Sequence, residues 1–228
     1  MVMLSAILRG TPMCIVCKRH ARDTYIKHGA LSLCSACFRL FREAPPLSSA
    51  NTAYMLAAYT YGNAMRGAIA DFKFRSNPAY ADILAELTAE VFERKGFPKE
   101  CDFIIPMPLH PMKQKMRGFN HTELLLDKIN ERLGLSVRCD ALIRIKNTLP
   151  QSRLTGTDRI KNVENAFLAA EDMTGKRVVI FDDVITTGLT AESAASALIR
   201  AGAKSVGVLA TAAAGTQNDG LRYKTSSP

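Results

Sequence analysis

Two groups of residues in this 228-residue chain have the types and spacing to do chemistry. Cys14 and Cys17 form one C-x-x-C and Cys34 and Cys37 a second, with sixteen residues between the pairs. That spacing falls inside the window of tetrahedral zinc sites, in which two knuckles aim four thiolates at one ion. Four sulfur ligands leave no position open for a catalytic water, so the implied zinc is structural. His20 and His28 lie nearby and are surplus to such a site. The second group is VVIFDDVITTGLT, residues 178–190. An apolar strand there delivers Asp182 and Asp183 to its C-terminal end, where open α/β sheets bind ligands. The turn Thr186, Thr187, Gly188, Leu189, Thr190 then opens a helix, whose orphan N–H groups and positive dipole end favour an anion. Gly188 lets the backbone approach a phosphate closely, and the threonine hydroxyls donate hydrogen bonds. The carboxylates accept from a sugar diol or hold a hydrated Mg²⁺ that bridges to it. A phosphate cradle beside a diol receptor suits a ribose 5-phosphate. The motifs G-x-x-x-x-G-K-[ST] and G-x-G-x-x-G are absent, which disfavours a P-loop ATPase and a Rossmann dinucleotide site.

Alternating strands and helices position these groups. TYIKHGALSL, between the cysteine pairs, reads as a hairpin turning at His28-Gly29. Residues 1–44 carry too few large apolar side chains to fold alone, and zinc worth roughly 10–16 kcal/mol organises segments of this kind. Pro45-Pro46 and Leu47-Ser48-Ser49 read as a linker. The chain therefore divides into a zinc-ribbon module at 1–46 and an α/β domain at 47–228. Residues 53–62 read as a strand, and NAMRGAIADFKF places Met65, Ile69 and Phe72 on one helical face. Asn77-Pro78 starts a helix with Ile83, Leu84, Leu87, Val91 and Phe92 inward. Residues 102–105 form a short buried strand, and Asn120 with Glu123 caps a helix that ends at Gly134. Residues 141–145, 166–169, 176–181 and 205–211 read as further strands, with a helix from Thr190 to Gly202. Such alternation indicates a parallel sheet flanked by helices, with right-handed crossovers. Cys101 and Cys139 stand alone, and burial is expected for both. The last dozen residues read as frayed.

Hydrophobic residues at 47% supply a real core, which excludes a disordered tail, a collagen-like fibre and a disulfide miniprotein. Lys+Arg 30 against Asp+Glu 21 gives +9, so a phosphate-bearing partner is expected, whether nucleotide, nucleic acid or anionic lipid. The cations fall in three clusters: the cysteine module, Lys113 to Arg117, and Arg138 to Lys161. Tyr54, Tyr59, Tyr61, Phe72 and Phe74 lie beside Arg66, Lys73 and Arg75, an interleaving that single-strand binding uses and core packing also explains. MVMLSAILRG lacks a cationic start and a cleavage pattern, and no run of about 18 apolar residues occurs. A soluble, cytoplasmic protein without a transmembrane segment is expected.

With these motifs in order, the chain resembles the type I phosphoribosyltransferases, whose fingerprint for 5-phosphoribosyl 1-pyrophosphate (PRPP) is the 182–190 segment. More specifically it resembles the ComF family, phosphoribosyltransferase-like proteins with an amino-terminal zinc ribbon linked to natural competence and uptake of single-stranded DNA. Besides the paired C-x-x-C, the resemblance rests on Lys73-Phe74, Pro106 to His110, Arg117-Gly118-Phe119-Asn120, Thr148, Gln151, Arg159, Asn162-Val163 and Ala166-Phe167. It implies that Asp182 and Asp183 hold the ribose hydroxyls and Mg²⁺ of PRPP, and that Thr186, Thr187, Gly188, Leu189 and Thr190 bind its 5-phosphate. It places Pro108, His110 and Arg117 at the pyrophosphate loop, and Arg144, Lys146, Arg153 and Arg159 in a mobile loop over the site. The implied function is binding of PRPP with Mg²⁺ and handling of single-stranded DNA beside competence-machinery proteins. The alternative is a working phosphoribosyltransferase on an unidentified base or other acceptor. Its chemistry would be displacement of pyrophosphate at the anomeric carbon, with Mg²⁺ and cations stabilising the leaving group. His110 and His121 are the histidines available as a base, a structural role competing for each. Met107 and His121 stand where the family usually has Val and Gln. Thr186 stands where 6-oxopurine enzymes carry a catalytic Asp, and the acidic pair followed by V-I-T looks nearer to the orotate type.

Overall fold

The computed structural model describes residues 10–49, 51–74, 79–96, 100–148, 156–214 and 222–223. Eleven short or medium strands and seven helices fall within them. The cysteine module holds β1 (Met13–Cys14), β2 (Thr24–His28), β3 (Leu31–Cys34) and the single turn α1 (Ser35–Phe38). β2 and β3 pair antiparallel across Gly29, whose φ of 56° suits glycine at this turn, and β1 runs parallel to β3.

The main sheet has the order β11-β4-β5-β10-β9-β6. Its parallel centre is β5 (Tyr54–Thr60), β10 (Ser205–Ala213), β9 (Arg177–Ile185) and β6 (Phe103–Pro106). β4 (Leu47–Ser48) and β11 (Arg222–Tyr223) add an antiparallel edge. The helices are α2 (Asn63–Phe74), α3 (Ala79–Lys95), α4 (Pro111–Arg117), α5 (His121–Leu133), α6 (Gly156–Val163) and α7 (Leu189–Arg200). β7 (Leu142–Arg144) and β8 (Phe167–Ala169) form a separate antiparallel pair.

Side chains alternate across the sheet, and the alternation builds two cores. On one face Ala58, Ile104, Val179, Phe181 and Leu209 pack with α2, α3 and α5. Ile15, Leu33 and Cys37 of the cysteine module belong to that same cluster. On the other face Ile105, Val178, Ile180 and Val208 pack with Ala194 and Leu198 of α7 and with Leu142 and Phe167 of the small pair. Gly207 is required by close approach: a Cβ there would lie 2.1 Å from Cζ of Tyr54, its neighbour across the β10–β5 ladder.

Met65, Ile69, Phe72, Ile83, Leu84, Leu87, Val91 and Phe92 are buried, as their helical spacing requires. Tyr59 and Phe72 are core residues, so packing accounts for them. Several local expectations are corrected. The stretch after Pro45-Pro46 is no free linker, because Leu47 is buried and its strand pairs with β5. The strands at 141–145 and 166–169 stay outside the parallel sheet, because they pair with each other. Cys139 is exposed and Cys101 half-buried. Within the last dozen residues, Arg222–Tyr223 pairs with β4. The helix start at Asn77-Pro78 lies outside the described residues. Among the described residues no helix is long and apolar enough to cross a membrane.

Candidate functional site

Helix placement creates the cleft. α5, which follows β6, covers one face of the sheet, while α7, which follows β9, covers the other. The chain therefore leaves neighbouring strand ends in opposite directions, and the crevice at such a switch point is where open α/β sheets take ligands. The cleft there encloses about 180 Å³ and is lined by Met107, Leu109, Arg117, Asn120, His121, Thr122, Arg144, Asp182, Asp183, Val184, Thr186 and Thr190.

Asp182 and Asp183 are the sixth and seventh residues of β9, so their side chains leave the sheet on opposite sides. Asp183 takes the α2–α5 side, where its Oδ2 lies 2.7 Å from Nζ of Lys73, near the end of α2. Both groups are largely shielded, with side-chain exposures of 7% and 22%. Burial alone would lower the Lys73 pKa, but Asp183 outweighs it and holds the ammonium charged. Asp182 takes the opposite side and feels the charge of Arg144, whose guanidinium lies 5.2 Å over the Phe167 ring. Burial and the adjacent Asp183 push the Asp182 carboxyl up to about 7.

That shift fixes a sign. Between the ordinary 3.8 and about 7 the folded chain keeps a proton on Asp182 that the unfolded chain has lost. This group's contribution to stability therefore falls as pH rises through that window. The Asp182→Asn variant is expected to gain stability relative to wild type between pH 5 and pH 7.5, read from thermal melts of both proteins.

Gly188 is the N-cap of α7, with a φ of 79° that an L side chain rarely adopts and without a side-chain cap. The first-turn N–H groups of α7 thus lack a side-chain cap at the cleft, an arrangement that favours an anion. Opposite, the Asn120 side chain caps α5 by accepting from the Thr122 N–H at 3.1 Å and donates to the Met107 carbonyl at 3.2 Å. His110 caps α4 instead, accepting from the Met112 N–H.

The cleft thus gathers Arg117, Arg144, Asp182, Asp183, Thr186 and Thr190, with Thr187, Gly188 and Leu189 completing the turn between them. Pro108, His110, Lys146 and Arg159 are outside its lining. Lys146 is exposed and donates to the Lys161 carbonyl at 2.7 Å. Arg153 and Gln151 lie outside the described residues.

The four N-terminal cysteines converge as well. Their Sγ atoms all lie within 4.8 Å of one another, compared with about 3.8 Å between the ligands of an ideal tetrahedral zinc–thiolate site. Burial works to raise the Cys14 thiol, yet N–H donors from Cys34, Cys17 and Val16 together bring it down to about 7. These residues fit a structural metal, which would cross-link the two knuckles. His20 and His28 are engaged elsewhere, with the Thr11 carbonyl and with Glu86, each at 2.7 Å.

A family model for the phosphoribosyl transferase domain matches residues 125–225. The DNA utilization protein YhgH of Salmonella typhi is 28% identical over 211 residues, covering 86% of this chain and 88% of its own. Competence protein F of Haemophilus influenzae is 34% identical over 108 residues, covering 46% of this chain and 47% of its own. Competence protein ComFC of Bacillus subtilis is 27% identical over 146 residues, covering 64% of this chain and 58% of its own. The chain is similar to the proteins of the ComF family.

The phosphoribosyl transferase match begins inside α5 and ends beyond the Asp182–Thr190 segment. Lys73 lies before it and pairs with the cleft residue Asp183, a partnership that spacing did not assign. The signal was the Lys73-Phe74 pair closing an amphipathic helix, which carries no geometry of its own. Asn120, Thr122, Met107 and Leu109 enter because β6 ends and α5 begins at the sheet edge where β9 ends.

Proposed function

We propose that this ComF-like protein binds PRPP with Mg²⁺ in the cleft and handles single-stranded DNA during natural competence. The observation that carries the ligand half is the meeting of Asp182 and Asp183 with the uncapped start of α7 in one crevice. The 5-phosphate belongs on the 186–190 amides and the ribose hydroxyls on the two carboxylates. Arg117 and Arg144 supply cations for the pyrophosphate end, and Mg²⁺ neutralises its charge. The four cysteines hold a structural zinc. The names of the YhgH, competence protein F and ComFC relatives support a role with DNA.

Charge supports the DNA half. Arg19, Arg22, Lys27, Arg39 and Arg42 are exposed on the cysteine module. Among the described residues, Arg19, Arg22 and Lys27 have no acidic partner. Anisotropy titrations of a labelled single strand across salt are expected to give a log–log slope of about −0.7 per phosphate contacted. Replacing Arg19, Arg22 and Lys27 by Gln flattens that slope by about 2 units on the same relation. No binding at low salt, or an unchanged slope in the triple variant, contradicts this reading.

A further inference from the structure

The cleft contains a buried polar ring that is unpaired among the described residues. His121 opens α5, is 2% exposed, and lines the cleft with Asp183 and Arg117. Phe72 meets it edge-on at 5.2 Å, and Phe119 lies against it at 4.4 Å. Among the described residues, neither Nδ1 nor Nε2 has a hydrogen-bond partner. The Lys73 carbonyl approaches the ring without reaching bonding geometry. Across the cleft, Arg144 Nε is in the same condition.

Packing explains where the ring is but not why it is an imidazole. A phenyl ring between Phe72 and Phe119 would bury as much apolar surface and strand no nitrogen, whereas unpaired buried polar atoms cost free energy. A histidine kept against that cost has a partner that comes and goes. Burial, and then the charge of Arg117, hold the ring neutral despite Asp183, so it offers one donor and one acceptor. A phosphate oxygen could satisfy only the donor. Hydroxyls can accept from the N–H or donate to the bare nitrogen, which points to the sugar and its several hydroxyls. The side of the sheet agrees, since Asp183 and α5 share a face.

We infer that His121 is a ligand-contacting residue that hydrogen-bonds a hydroxyl of the pentose seated on Asp183. The inference rests on the cleft being a phosphoribosyl site, and it adds a residue that selects for the sugar.

The test compares wild type, His121→Phe and His121→Gln by calorimetry with PRPP and Mg²⁺, and by thermal melts without ligand. The Phe variant keeps the packing and removes both nitrogens. It is expected to melt above wild type and to bind PRPP about tenfold more weakly or worse, as loss of a buried hydrogen bond implies. Glutamine keeps a donor and an acceptor and is expected to bind within about threefold of wild type on the same scale. Stability and binding thus move in opposite directions, which a purely structural histidine would not produce. A Phe variant that binds like wild type, melts lower or fails to fold overturns the role of His121. Absence of any PRPP heat in wild type instead overturns the reading of the cleft, and this inference with it.

Discussion

Removing the metal is expected to cost this protein more than its cysteine module. Structural zinc supplies roughly 10–16 kcal/mol in small finger peptides, against a total stability of about 5–15 kcal/mol for an ordinary domain. Three of the four cysteines are set in a shared core: Cys14, Cys34 and Cys37 cluster with Ile15 and Leu33 and with Met65, Ile69, Phe72, Tyr80 and Leu84 of α2 and α3. Lys18, between the knuckles, also pairs with Asp71 on α2 and donates to the Tyr80 hydroxyl at 2.8 Å. Losing the ion leaves three buried thiols with no role and loosens the face that carries Phe72 and Lys73. Chelation, or Cys34→Ser, should therefore lower the main calorimetric transition rather than melt a separate ribbon beforehand. Retention of the full-height main transition at its original temperature, in protein shown to be metal-free, would contradict this.

The second large effect is expected at Asp183. Removing one partner of a shielded ion pair typically costs about 3–5 kcal/mol, because the remaining charge is stranded. Asp183→Leu strands the Lys73 ammonium at 22% side-chain exposure, so a value toward the lower end is expected. Replacing both, as Lys73→Met with Asp183→Leu, removes the stranded charge along with the pair. The double variant should recover most of the lost stability, and the two substitutions should be strongly non-additive in denaturant melts. PRPP binding should be lost in the double variant as well, because the carboxylate proposed to receive the sugar is gone. Additive destabilisation would show that the pair does not act as a unit.

These two expectations draw on different depths of information in the sequence. The cysteine cluster was legible because a spacing of three residues in each pair closes a knuckle locally. The 178–190 segment was legible because strand, carboxylates and turn are contiguous. Their opposite directions also follow from the two-residue period of a strand, which places Asp183 toward Lys73 and Asp182 toward Arg144. Which residues would stand opposite them was not legible. Lys73 reaches Asp183, and His121 the cleft, only because α2 and α5 cover the same face, a consequence of strand order rather than local pattern. That β7 and β8 pair with each other, outside the main sheet, was not legible for the same reason. Three-residue strands announce their conformation, while their partner is settled by long-range packing. Leu47 shows the converse error, since two prolines mark a change of direction and say nothing about whether the next residue is buried.

The central claim is that the crevice at the ends of β6 and β9 receives the phosphoribosyl group in one orientation. Crystals soaked with PRPP and Mg²⁺ test it most directly. The expected map shows the 5-phosphate on the amides of residues 186–190 and the pentose hydroxyls within hydrogen-bond reach of Asp182 and Asp183. A crevice still vacant at saturating ligand, or a sugar phosphate held with its charge toward the aspartates, would contradict it.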